Sequence, residues 1–307
     1  MIALIVFLQA LFAIIFPLGK MSLECAGPFF LVGIRMIIAG TVLLIYQFFS
    51  DRKHFVVYKK DFVRLLMLAI FNIYITNSFE FWGLQYLDSG KACFIYNFTP
   101  FVDAIISYFM FSEKMTFKKL LGLSIGFIGF LPIIKLQSGG EAQLPHIGWF
   151  SYAELAIMIA ATTMAIGWII MRTFSRNPNY STVTVNGLSM VLGGTMSLIH
   201  SGFAESWSPA PYKTGTFIHM MTLTLVIAFL QNIVCYNLYA WLLKRYSSTL
   251  ISFIGFTGPL FAALFGWFML GEVVTKDFYL AGIIVSIGLT IYYQEELRLG
   301  YVMDPDN

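Results

Sequence analysis

Arg35, Glu80 and Asn97 are an arginine, a carboxylate and an amide set inside long apolar runs. An ionised side chain at mid-bilayer costs roughly 2.5–3.5 kcal/mol or more, so each such group needs a partner or a water-filled cavity. Asn72, Thr76 and Glu80 follow at four-residue spacing, and helical period puts them on one face, with Asn77 beside it. A second run carries Gln231, Asn232, Tyr236, Asn237 and Tyr239, of which Asn232, Tyr236 and Tyr239 share a face. Opposite charges among amides fit binding: a cation for a carboxylate, an anion for an ammonium, and amides that both donate and accept. Two structural alternatives stand beside this one, an Arg35–Glu80 pair that only pins two helices and polar contacts that only glue helices together. Asp103, three residues past Pro100, is a candidate proton or cation site, as is Glu80, although Asp103 could equally pair with a lysine. Tyr96, Tyr108, Tyr236 and Trp168 could stack on a planar ring, or simply pack.

No catalytic or metal-binding set accompanies these residues. His54, His146, His200 and His219 are scattered near the ends of the apolar runs. Cys25, Cys93 and Cys235 are far apart, with no CxxC pair. There is no phosphate-binding glycine loop of the kind that would let ATP drive the chain. Neither an enzyme nor a cofactor or metal is expected, and nothing points to nucleic acid.

The elements that must hold these residues are membrane helices. Charged residues make up 11% of the chain and apolar ones 58%, where a soluble domain carries about 25% charge. Ten apolar runs, near 2–19, 28–49, 62–86, 90–111, 118–136, 151–171, 181–201, 216–243, 248–270 and 277–293, approach the length a spanning helix needs. The first lacks the basic start and small-residue cleavage site of a signal peptide, so it is read as a span. With the N-terminus in the cytoplasm, thirteen lysines and arginines fall in cytoplasmic loops and five, Lys20, Lys91, Lys135, Lys213 and Lys276, in outer ones. That bias places both termini inside. Arg35, Glu80 and Asn97 then share one layer, roughly 10 Å below the outer surface at a rise of about 1.5 Å per residue. Glu154 should open the sixth helix, where a carboxylate suits the dipole. Glu113 and Glu272 read as turn or cap residues, and Pro100 and Pro259 as candidate gating kinks.

The chain also repeats itself. An offset of 159 residues brings Trp82 onto Trp241, Ser89 onto Ser248, Pro100 onto Pro259, Glu113 onto Glu272 and Thr116 onto Thr275. A repeat of five helices is odd in number, so the second copy enters the membrane from the opposite side. This is the inverted-repeat plan of many secondary transporters. The expected division is 1–137 and 147–295, with 296–307 as a cytoplasmic tail.

The stretch from Gly83 to Gly90 (Gly-Leu-Gln-Tyr-Leu-Asp-Ser-Gly), Pro100, and Phe111-Ser112-Glu113-Lys114-Met115-Thr116 resemble the EamA repeat of the drug/metabolite transporter superfamily. The second half matches better, through Leu243-Lys244-Arg245-Tyr246-Ser247-Ser248, Gly258-Pro259 and Leu270-Gly271-Glu272. Arg35 resembles the arginine often found in that family's second helix, and Glu154 and Arg172 the usual ends of its sixth. Lys91 and Asp103 depart from its apolar fourth helix. The first half is also similar to the S-adenosylmethionine/S-adenosylhomocysteine exchangers within the superfamily. The resemblance implies a ten-helix inner-membrane carrier.

The expected function is secondary transport of a small polar, zwitterionic metabolite of the S-adenosylmethionine type by alternating access. Arg35, Asn72, Asn77, Glu80, Tyr96, Asn97, Asn232 and Tyr236 are the candidate substrate ligands. An exporter of amphipathic compounds is the alternative within transport, and a membrane scaffold or enzyme the alternative outside it. The expected partners are a small-molecule substrate and the lipid bilayer; a homodimer is left open.

Overall fold

The computed structural model describes residues 2–299, apart from 57, 100, 103–104, 107–114, 136–142, 208–209, 245, 247–250 and 252–253. Pro100, Asp103, Tyr108 and Glu113 therefore lie outside the described residues. The helices are α1 Ala3–Leu23, α2 Pro28–Ser50 and α3 Lys59–Leu84, α4 Ser89–Tyr96 and α5 Phe117–Lys135. They continue as α6 Tyr152–Ser175, α7 Thr182–Ala204 and α8 Phe217–Leu242, α9 Gly258–Leu270 and α10 Lys276–Arg298.

Among the described residues six helices, α1, α2, α3, α6, α7 and α8, are long and apolar enough to cross a membrane. Outward faces, on these helices and on the shorter α9 alike, carry large apolar side chains. Val42, Ile45, Tyr46 and Phe49 of α2, and Leu260, Leu264, Trp267 and Phe268 of α9, are exposed at helical spacing. Apolar stripes of that size suit lipid and not water. The protein is an integral membrane protein.

Two helix pairs form the scaffold by close backbone approach. Where α2 crosses α7, a methyl added to Gly40 would fall 2.7 Å from the Gly187 carbonyl oxygen. Where α5 crosses α10, one added to Gly122 would fall 2.5 Å from the Gly288 carbonyl oxygen. Small residues give membrane helices this intimacy, since lipid supplies no hydrophobic drive between them. The largest buried cluster, including Met36, Ile73, Trp168, Met190 and Tyr236, fills the space between α1, α2, α3, α6, α7 and α8.

Several helices depart from regular α geometry, at matching places in the two halves. α3 widens into a π-helix over Ala69–Ile75, and α8 does so over Ala228–Cys235; the same offset of 159 carries Ala69 onto Ala228. The fourth apolar run is not one helix, as the spacing leads one to expect: α4 stops at Tyr96, and Asn97 leaves helical geometry at φ −72°, ψ 16°. The ninth run is interrupted too, with a 3-10 turn at Gly255–Thr257 before α9. In sequence both breaks precede a proline, a residue whose ring denies a helix one N–H and crowds the preceding turn. Pro259 is buried in the first turn of α9, where proline is tolerated. Between α5 and α6 a short hairpin pairs His146–Ile147 with Phe150–Ser151, and Gly148 turns it at φ 62°.

Candidate functional site

The two helix breaks meet in the centre of the bundle. A Cβ placed on Gly255 would lie 3.3 Å from Asn97 Oδ1. Around this point α1, α3, α4, α6, α8 and the start of α9 enclose a cavity of about 70 Å³, lined among others by Gln9, Glu80, Tyr96, Asn97, Trp168 and Gln231. This is room for a few waters. Each lining side chain is placed by a local cause. Asn97 ends α4 and turns its Nδ2 back onto the Cys93 carbonyl, 2.8 Å away, which also accepts the Asn97 N–H at 3.1 Å. Gln231 sits within the π segment of α8. Gln9 donates from Nε2 to the Ile251 carbonyl at 3.2 Å, which ties α1 to the run that precedes α9. The Tyr96 hydroxyl contacts Met164 Sδ at 2.6 Å.

Glu80 is 2% exposed and is the acidic residue of the cavity wall. Among the described residues it forms no ion pair within 4.0 Å. Arg35 does not meet it as a salt bridge. The guanidinium carbon lies 4.0 Å above the ring of Phe81, and Nη2 donates to Asn77 Oδ1 at 2.7 Å. Asn77 in turn directs Nδ2 to the Ile73 carbonyl at 2.9 Å and to the Tyr236 hydroxyl at 3.2 Å. Arg35, Asn77 and Tyr236 thus form a bonded cluster joining α2, α3 and α8, one layer behind the cavity wall.

The eight predicted ligands therefore separate into groups. Glu80, Tyr96 and Asn97 line the cavity. Arg35, Asn77 and Tyr236 form the cluster behind it. Asn72 packs under Gly167 of α6, and Asn232 donates to Met36 Sδ at 3.3 Å. The layer holds spare hydrogen-bonding capacity: Arg35 Nε and Nη1, Asn72 Nδ2, Trp168 Nε1, Gln231 Oε1 and Asn232 Oδ1 are buried without a partner. Each such group costs about 1–3 kcal/mol, a strain that structural polar contacts normally avoid.

At the end of the bundle where α1, α7 and α9 finish, carboxylates cap the helices that begin there. Glu205 accepts from the backbone N–H groups of Phe29 and Phe30 at 2.8 and 3.0 Å, capping α2. Glu272 accepts from the Ser89 N–H and hydroxyl at 3.0 Å, capping α4. Lys20 joins Glu272 at 2.9 Å and Asp88 at 3.2 Å. Glu154 opens α6 as expected, in a capping box with Ser151.

Lys91, counted with the outer side though it opens the fourth apolar run, lies in the first turn of α4 and pairs with Glu154 at 2.8 Å, both side chains being at most 5% exposed. Only the approach of α4 to α6 brings this partner. Gln9 was missed altogether. Its signal was available, because it is the one amide within an otherwise apolar first run.

A bundle of long apolar helices around a polar, charge-bearing cavity is an architecture that suits a membrane transporter. The EamA-like transporter family matches residues 1–134 and 151–294, and the chain belongs to that family. A protein of Chlamydia muridarum named S-adenosylmethionine/S-adenosylhomocysteine transporter is 37% identical over 293 residues, covering 95% of this chain and 91% of its own. A protein of the same name from Chlamydia trachomatis serovar L2 is 37% identical over 290 residues, covering 94% and 87%. An uncharacterized transporter of Bacillus subtilis, YoaV, is 24% identical over 88% of each chain. A solved crystal structure superimposes with a TM-score of 0.71 over 97% of this chain and 98% of its own, at 16% identity. That last likeness speaks for the fold alone. The protein is a transporter and not an enzyme.

Proposed function

We propose that this protein is a secondary carrier of an adenosyl amino acid of the S-adenosylmethionine type, exchanged for its S-adenosylhomocysteine counterpart across the bacterial inner membrane by alternating access. The observation that carries this reading is the 37% identity, over nearly the full length of both chains, to proteins named for those two substrates.

The chemistry of the central layer agrees with such a cargo. S-adenosylmethionine bears an ammonium, a sulfonium and a carboxylate. Glu80 is the anion that receives positive charge from the cavity side. Arg35 keeps Nε and Nη1 unpaired, donors for a carboxylate once the cavity widens. The amides of Asn72, Asn77, Asn97 and Asn232 and the phenols of Tyr96 and Tyr236 supply neutral contacts to sugar and base. A cavity of about 70 Å³ is far below the roughly 300 Å³ at which ligand pockets begin. Loading therefore requires the helices to part, and the paired breaks of α4 and α9, with Pro100 and Pro259, are the hinges of that motion. Asp103, or Glu80 itself, is the candidate coupling site.

Alternating access follows from the architecture we propose: ten spans as two inverted five-helix repeats, 1–137 and 147–295. The repeat offset, the matching π segments and the two matching breaks all support it. Both termini lie in the cytoplasm, with 296–307 as a tail.

Uptake of labelled S-adenosylmethionine into proteoliposomes tests the substrate. Excess S-adenosylmethionine, S-adenosylhomocysteine or free amino acids should block it, and sugar phosphates should not. Competition by nucleotide sugars or phosphates alone would make Arg35 a phosphate ligand and end the zwitterion reading.

A further inference from the structure

We infer that Trp168 and Gln231 form a base-recognition subsite in the central cavity, one that reads the hydrogen-bonding edge of a 6-aminopurine. The inference rests on the adenosyl amino acid reading above and deepens it.

Both residues line the cavity, and both are buried, Trp168 at 2% and Gln231 at 4% exposure. The Trp168 ring is committed to packing. It stacks on Tyr239 with centroids 4.0 Å apart and planes 22° apart, and Tyr236 lies tilted against it at 5.2 Å. Its remaining function is the indole N–H, which finds no acceptor in the protein. An indole N–H can only donate. Gln231 Oε1 is an acceptor without a donor. The two residues that line the cavity from α6 and α8 therefore carry a spare neutral donor and a spare neutral acceptor, both closed off from water until the cavity widens.

A second observation comes from the backbone. Gln231 lies in the π segment Ala228–Cys235, and π turns recur at functional sites, where the wider turn re-aims side chains. Its equivalent at an offset of 159 is Asn72, in the π segment Ala69–Ile75. Asn72 also carries an unpaired amide nitrogen, but it packs under Gly167. Of this equivalent pair only Gln231 lines the cavity.

The chemistry selects the part of the substrate that fits. The amino-acid end and the sulfonium are ionic and belong with Glu80 and Arg35. A 6-aminopurine is neutral and carries a donor, the 6-amino group, next to an acceptor, N1. The amino group donates to Gln231 Oε1, and N1 accepts from Trp168 Nε1–H. A ribose hydroxyl also donates and accepts, so the test must change the base and leave the sugar alone.

S-inosylhomocysteine makes that change. Its 6-position is a carbonyl and its N1 carries hydrogen, so donor and acceptor trade places. Competition against labelled S-adenosylmethionine should show it inhibiting the wild-type carrier at least about ten-fold more weakly than S-adenosylhomocysteine, because a site built for one hydrogen-bonding pattern rejects its reverse. Trp168→Phe and Gln231→Met should each bring the ratio of the two inhibitors towards one. A purely structural role would lower the amount of carrier in the membrane, measured by a terminal tag, and leave that ratio unchanged; either variant with residual transport reports it. An unchanged ratio in both variants, or equal inhibition of the wild type by the two compounds, overturns the subsite. Wild-type uptake that neither S-adenosylmethionine nor S-adenosylhomocysteine inhibits would instead overturn the substrate reading on which the subsite rests.

Discussion

Carboxylates at one end of the bundle and the carboxylate in its middle are treated in opposite ways. Glu205, Glu272 and Glu154 each cap the start of a helix, and their oxygens are met by backbone N–H groups, serines or lysines. Glu80 faces a cavity with no cation within 4.0 Å among the described residues; its hydrogen-bond partner is the neutral Tyr96 hydroxyl, in a layer that holds unpaired donors and acceptors. Buried charge that serves only the fold is paired, since an unpaired one is costly. The contrast supports the proposal that the middle of the bundle holds cargo while its end holds helices together.

The comparison breaks most visibly at Glu80. Glu80→Gln keeps shape and removes charge, so transport of a cationic substrate should fall about 100-fold or more, as expected for losing a desolvated charge contact. Insertion and yield should stay normal. Glu205→Gln should do the reverse, lowering yield while leaving transport per folded molecule intact. A similar loss of yield in both, with no loss of specific transport in Glu80→Gln, would erase the distinction.

An effect on stability and not on transport is expected at the buried pair of α4 and α6. Lys91→Met strands Glu154 and should cost roughly 3–5 kcal/mol, visible as a large drop in the thermal aggregation midpoint in detergent. Adding Glu154→Gln should recover part of that loss. No recovery in the double variant would show that the two do not act as a pair.

The smallest effect belongs to the Lys20–Glu272–Ser89 contact. Glu272→Gln weakens one cap and one partly exposed ion pair, together about 1–2 kcal/mol. If this end must open for substrate to enter, the open population rises several-fold. Alkylation of Cys93, which lines the cavity, should quicken by a similar factor when Cys25 and Cys235 are replaced by alanine.

Much of this was legible in the sequence because membrane chemistry leaves few polar residues to consider. The repeat was readable from shared Trp, Pro, Glu and Thr at one offset, and the π segments and helix breaks fall at matching positions. That Glu80, Tyr96 and Asn97 line an internal cavity was legible because a polar group in an apolar run has to face inward. Arg35 joins the cluster behind the cavity and not its wall, since period gives a face and not a rotamer: the guanidinium turned onto Phe81 and Asn77. Lys91 with Glu154 was not legible, because the partners lie on helices far apart in sequence and meet only through packing.

Counterflow tests the central claim most directly. Proteoliposomes carrying the wild-type protein, loaded with S-adenosylhomocysteine or with buffer alone, are offered labelled S-adenosylmethionine outside. The account expects uptake to be many-fold faster into the loaded vesicles and to be lost with Glu80→Gln at equal protein content. Uptake that ignores the internal S-adenosylhomocysteine and survives Glu80→Gln would contradict it.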